Sequence, residues 1–150
     1  MILFNNDYSE GCHPLILKKL AETNMEQTIG YGLDPHCARA ADQIRSLCND
    51  PSLNIHFLTG GTQTNLTVIS AALRPHQGVI SAESGHIHVH ETGAVEATGH
   101  KVLAVSSSDG KVRPALVEQT VLQHRNSGAE EHIVQPKMVY ISNPTELGTL

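Results

Sequence analysis

Two short stretches of the chain carry residues able to do chemistry. The first is Phe57-Leu-Thr-Gly-Gly-Thr-Gln-Thr-Asn-Leu66. Glycines and a threonine stand between an apolar run and a helical pattern, so free backbone N–H groups and the positive end of a helix dipole face outward. That is the physical recipe for holding a phosphate. The turn is neither a Walker A loop nor a dinucleotide fingerprint, because the lysine and the third glycine are missing. A plain strand-to-helix turn, with glycine for its backbone freedom and Thr or Gln at the cap, is the alternative reading.

The second stretch is Ser84-Gly-His-Ile-His-Val-His-Glu-Thr-Gly-Ala94, in which His86, His88 and His90 alternate. On a strand all three would share one face and could grip a metal. On a helix only His86 and His90 share a side, and the following Glu-Thr-Gly-Ala-Val-Glu-Ala continues in a helical manner. The helical reading makes them capping or hydrogen-bonding residues and not metal ligands. No Gly-x-Ser-x-Gly elbow is present, and nothing marks a cysteine as an activated nucleophile. Asp7, Glu10 and Asp34 are candidate cleft acids, with solvated surface carboxylates as the ordinary reading.

The elements that must position these residues follow from periodicity. Pro14 suits a first helical turn, and Ile16, Leu17, Leu20 and Ala21 follow at helical spacing. Thr28 to Asp34 reads as a loop around Tyr31. Asp34-Pro35 opens a second helix that Asn49-Asp50-Pro51 closes. Leu53 to Leu58 reads as a strand. A third helix follows with Leu66, Ile69 and Leu73 on one face and Pro75 as its stop. Gly78 to Ser81 reads as a strand, Ile87 to Ala97 as a helix and His100 to Val105 as a strand. Asp109-Gly110 is a turn, Pro114 starts another helix, and Lys137 to Ser142 is the last strand. Strands separated by helices of this length predict βαβ crossovers and a mostly parallel sheet, an α/β fold.

Composition bounds the function. The 150 residues are 39 % hydrophobic and 17 % charged, ordinary for a soluble globular domain. Five aromatics and no Trp argue against a base-stacking platform. A net charge of −5 with ten Lys and Arg argues against binding a phosphate backbone, so no nucleic-acid partner is expected. Cys12, Cys37 and Cys48 show no paired or zinc-like spacing, which points to a reducing cytoplasmic setting. The N-terminal residues lack the basic region of a signal peptide, and no apolar run reaches the roughly 18 residues of a membrane span.

Taken in order, the motifs resemble the threonine aldolase and β-eliminating lyase family, pyridoxal-phosphate enzymes of the aspartate-aminotransferase fold type. Asn6-Asp7-Tyr-Ser-Glu-Gly-Cys-His-Pro14 looks like the family's Ser-Asp-Thr segment, with about two extra residues. Tyr31-Gly-Leu-Asp-Pro35 is similar to its Tyr-Gly-x-Asp-Pro. Thr59-Gly-Gly-Thr-Gln-Thr-Asn65 resembles its phosphate-binding Thr-Gly-Thr-Gln-Ala-Asn turn. Gly85-His86 with Glu91-Thr-Gly-Ala94 resembles the motif whose histidine stacks on the cofactor ring. Asp109-Gly110 sits where the family also has Asp-Gly.

The resemblance implies a three-layer α/β/α fold with a mostly parallel sheet, the N-terminal part of the large domain of a fold-type I enzyme. Residues 1–50 would form a helical arm and 51–150 the first half of the cofactor-binding domain. It implies pyridoxal 5'-phosphate as cofactor, with Gly61, Thr62 and Gln63 on its phosphate and His86 over its ring as the catalytic residue. It places Ser9 near the substrate carboxylate and Tyr31 at the site edge or reaching a neighbouring subunit. The activity implied is cleavage of a β-hydroxy or β-substituted amino acid by a cytoplasmic homodimer or homotetramer.

Two departures stand out. The family's Glu-Asn-Thr-His is replaced by Ser142-Asn-Pro-Thr-Glu146, with Thr145 nearest the histidine position, so the broader lyase group is implied more firmly than threonine cleavage. The family's ring-nitrogen aspartate and Schiff-base lysine match nothing up to Leu150, and none of Lys18, Lys19, Lys101, Lys111 and Lys137 stands in a matching motif. The chain is therefore expected to be an inactive N-terminal half of a larger enzyme. A non-catalytic α/β fragment is the alternative reading, and a His-rich metal-binding protein a more distant one.

Overall fold

The computed structural model describes residues 10–150 and divides into two compact units, Met1–Phe57 and Leu58–Leu150. Each is built by local rules that can be followed residue by residue.

In the first unit, helix α1 (Pro14–Thr23) starts where proline fixes the first helical φ, and the His13 ring accepts from the Leu15 N–H at 3.2 Å. None of its residues is buried. Tyr31 and Gly32 take left-handed backbone, φ 63° and 76°, and turn the chain toward helix α2 (Pro35–Leu47). Asp34 caps α2: its Oδ1 accepts from the N–H groups of His36 and Cys37, both at 2.9 Å. The Cys37 thiol and then the Cys37 N–H stabilise the carboxylate and lower its pKa to about 2, while the same contact pushes the Cys37 thiol upward. After α2, Arg45 Nε donates to the Leu53 carbonyl at 2.8 Å and ties the following segment back to the helix.

That segment is not the strand its sequence predicts. Leu53 to Leu58 is irregular and has no ladder partner among the described residues. Phe57 and Leu58 remain 48 % and 41 % exposed, so the apolar pattern is present without a sheet to receive it.

The second unit carries a three-stranded parallel sheet. Helix α3 (Gly61–Ala72) leads to strand β1 (Gln77–Ala82), and a broken helical stretch of α4 (His86–Val89) and α5 (Ala94–Ala97) leads to β2 (Lys101–Val105). Helix α6 (Pro114–Arg125) then precedes β3 (Gln135–Val139), and the strand order is β2-β1-β3. The central strand β1 is buried along its whole length, as a parallel strand covered on both faces must be. Its register pairs Gly78 with Lys101 through Ala82 with Val105. A Cβ on Gly78 would stand 2.7 Å from the Lys101 carbonyl and from the Val134 side chain, so only glycine fits there.

Strand β3 begins two residues before the predicted Lys137 and ends at Val139. Pro136 pairs with Gly78, and the register slips between Gly78 and Val79, where Met138 becomes the next partner. An edge strand accommodates proline at such a bulge, which a sequence pattern reads as a breaker. The core gathers Ile69, Leu73, Val79, Ile87, Val95 and Val102, with Met138 and Tyr140 packed against it. The α/β architecture with a parallel sheet is the one the sequence predicts.

Candidate active site

The carboxyl ends of the strands, where parallel sheets place their chemistry, are drawn tightly together. The Gly85 N–H donates to the Ala82 carbonyl at 2.8 Å, turning the chain straight from β1 into α4. A side chain on Gly85 would run into the Ser81 hydroxyl, so glycine permits this turn and sets His86 directly after it. At the end of β2, Gly110 lies so close to Thr145 and Ser84 that an added Cβ would stand 3.1 and 3.3 Å from them. The Thr145 hydroxyl bonds the Thr149 hydroxyl at 2.8 Å and accepts from the Thr149 N–H at 3.2 Å. Thr145, at the position nearest the family's histidine, is thus engaged in holding its own loop.

Helix α3 opens on Gly60 in extended backbone with no side-chain cap. The first helical bond is Thr64 N–H to the Gly60 carbonyl at 3.0 Å. The N–H groups of Gly61, Thr62 and Gln63 therefore point out of the first turn without intrahelical partners. Nothing lies within 4 Å of where a Cβ would stand on Gly60 or Gly61. The Gln63 side chain turns back, its Oε1 accepting from the Thr59 N–H at 3.0 Å and the Thr59 hydroxyl at 2.7 Å. Gln63 thus offers its backbone N–H, while its amide fixes the turn.

One turn into α3, Asn65 Nδ2 donates to Glu91 Oε1 at 2.7 Å. The same oxygen meets His86 Nδ1 at 2.7 Å. The Glu91 side chain is fully buried, whereas that of His86 is 42 % exposed. Sequence reasoning quoted Asn65 and Glu91 within motifs but gave neither a role. The predicted helix from Ile87 to Ala97 is broken here, because Glu91, Thr92 and Gly93 all take positive φ, at 47°, 52° and 78°. Non-glycine residues in that region cost of order 1–3 kcal/mol each and persist only when their surroundings hold them.

The three histidines do not converge. Their segment is a helical turn and not a strand, so His88 is exposed while the His86 and His90 rings lie 5.0 Å apart, tilted by 49°. Among the described residues no three His, Cys, Asp or Glu side chains are grouped to hold a metal ion. Tyr31 is fully exposed in the first unit. Ser9 and Asp7 lie outside the described residues.

Comparison with known proteins gives these features a setting. The model of the beta-eliminating lyase family matches residues 7–150. The low specificity L-threonine aldolases of a Pseudomonas species and of Pseudomonas aeruginosa are each 30 % identical over 149 residues, 98 % of this chain and 42 % of theirs. A solved structure of Leishmania major threonine aldolase superposes with a TM-score of 0.91 at 53 % identity, covering 96 % of this chain and 41 % of that one. The chain thus spans about two fifths of the length of these relatives. With a family match over nearly all its residues and this superposition, the chain belongs to the beta-eliminating lyase family.

Proposed function

We propose that the protein carrying this chain is a pyridoxal-phosphate-dependent lyase that cleaves β-hydroxy or β-substituted amino acids, in the manner of a threonine aldolase. The observation that carries this reading is the pair of sites at the start of α3 and at His86, joined through Asn65 and Glu91. The residues present fit the cofactor. Three outward N–H groups beside two unobstructed glycines suit a phosphate, and an anchored, half-exposed imidazole suits a flat ring.

When bound, pyridoxal phosphate supplies an electron sink for charge developing at the substrate Cα. Gly61, Thr62 and Gln63 would hold its phosphate through backbone N–H groups, with the Thr62 hydroxyl as a further donor. His86 would lie against the ring and exchange a proton with the substrate through its exposed edge. Ser9 and Tyr31 are assigned to the substrate side, the latter at the site edge or toward a second subunit. We assign it a homodimer or homotetramer, in which a second subunit would cover apolar side chains of α1: Leu15, Ile16, Leu17 and Leu20 are all more than half exposed. The free cysteines Cys12, Cys37 and Cys48 support our assignment of the protein to the cytoplasm. No helix of the described residues is long and apolar enough to cross a membrane.

The test is to titrate the full-length protein with pyridoxal phosphate and then assay aldehyde release from β-hydroxy amino acids. Binding followed by cofactor-dependent release is the expected result. Absence of cofactor binding would overturn the reading.

A further inference from the structure

We propose that Glu91 is a positioning residue that fixes the tautomer of His86, keeping the proton on Nδ1 and leaving Nε2 as the ring's free lone pair. A carboxylate is acceptor-only, so the 2.7 Å contact between Glu91 Oε1 and His86 Nδ1 requires Nδ1 to carry the hydrogen. Asn65 Nδ2 donates to the same oxygen at 2.7 Å and so also anchors the carboxylate. A carboxylate with no exposure is costly to bury without such donors. Its second oxygen, Oε2, is buried with no hydrogen-bond partner among the described residues, so the carboxylate's side-chain bonds there are both made at the oxygen shared by His86 and Asn65.

The backbone makes this contact possible. Residues five apart on an unbroken helix stand about 140° apart around the axis and cannot meet. The helix ends at Val89, where His90 leaves helical backbone (φ −112°, ψ −143°), and with Glu91 and Thr92 in left-handed conformations the carboxylate comes within hydrogen-bond distance of His86. Thr92 is β-branched, and for such a residue positive φ is an outlier that must be held by its surroundings. The bonds from Asn65 and His86 hold the adjoining Glu91 in its own left-handed conformation. Asn65 also belongs to α3, so one carboxylate oxygen links the helix with the open glycine turn to the ring it would act beside.

The inference deepens the function proposed above and rests on it only for the ring's use. The tautomer itself is a property of this chain's own side chains. The experiment is a two-bond proton–nitrogen correlation spectrum of the full chain labelled with ¹⁵N in its histidine rings, recorded above the pH range where imidazole is usually charged. His86 should show the Nδ1–H pattern. Glu91→Met, which removes both acceptors at similar volume, should convert it to the Nε2–H form that free imidazole side chains favour. Glu91→Gln, which keeps one acceptor oxygen, should retain Nδ1–H.

An Nε2–H pattern in the unmodified chain overturns the proposal, and that spectrum requires no variant to fold. So does a Glu91→Met spectrum identical to the parent. Pyridoxal phosphate is then added to the same sample. Movement of the His86 ring signals supports the ring-facing role, and stationary signals with the Nδ1–H pattern intact overturn that role while leaving the tautomer assignment standing.

Discussion

Thr62 sits second in the first turn of α3, where its N–H has no intrahelical partner and its side chain is exposed. Thr62→Ala removes one donor from the proposed phosphate and nothing from the core. A charge-assisted hydrogen bond is worth about 1.5–3 kcal/mol, so cofactor affinity in the proposed lyase should fall roughly ten- to a hundredfold with a smaller change in turnover. Equilibrium binding of pyridoxal phosphate checks this, and an unchanged affinity would reduce the Gly-Gly-Thr segment to a turn. His86→Phe keeps a flat ring and removes the proton-carrying nitrogens, so the cofactor should stay bound while the lyase rate drops by about 10²–10⁴-fold. His88→Ala and His90→Ala should be far milder, since His88 is exposed and His90 meets His86 only ring to ring at 5.0 Å. Equal losses at all three positions, or inactivation of the parent by a chelator with recovery on adding zinc, would instead favour a shared metal. Gly61, Thr62 and His86 stood out in the sequence through a glycine pair, a histidine run and the motifs' likeness to the family, and the structure places the first two in the open turn of α3 and the third against Glu91. Glu91 was not, because a partner five residues away is reachable only through a backbone break that no periodicity announces.

Among the elements, α2 shows how one side chain sets a boundary. Asp34 is the cap residue that the Asp-Pro pair predicts, and it accepts two backbone N–H groups. Because folding lowers its pKa to about 2, the folded state binds that proton less readily than the unfolded chain does. Its contribution to stability is therefore complete above the ordinary carboxylate range, near about 3.9, and is lost as pH falls toward about 2. Asp34→Ala should lower the melting temperature at neutral pH, and the gap from the parent should close as the solution is acidified. Asp34→Asn, which keeps an acceptor, should sit between them with less pH dependence. Melting curves from pH 7 downward test this, and a gap that stays constant into acid would show that the cap does not act through its charge. Helices α1, α2, α3 and α6 were legible to within a residue or two for the same reason: proline, an Asp cap or a glycine marks each start. The predicted strand at Leu53 to Leu58 failed because a strand depends on a partner that its own residues do not specify.

At the scale of the whole molecule, the second unit uses one helix for two purposes. The first turn of α3 presents the open glycines, and two turns later Ile69 is 2 % exposed among Leu73, Val79, Ile87, Val95 and Val102. Removing buried carbon from this cluster loses its transfer free energy and leaves a cavity, because a close-packed interior relaxes only in part. Ile69→Ala should therefore cost about 2–5 kcal/mol of unfolding free energy, and Ile69→Val about 0.5–1.5 kcal/mol. The milder variant also separates the two uses of α3. If the helix is a rigid bar whose first turn keeps its shape when the core loosens slightly, Ile69→Val lowers stability and leaves pyridoxal-phosphate affinity near that of the parent. Thr62→Ala does the reverse, since it touches no core residue. Urea unfolding and cofactor titration of the two variants and their double mutant make the comparison. Independent sites add within about 0.3–0.5 kcal/mol, so additive effects on both measurements are expected. A loss of affinity in Ile69→Val as large as that in Thr62→Ala would mean that the core sets the geometry of the turn and that α3 does not insulate one from the other.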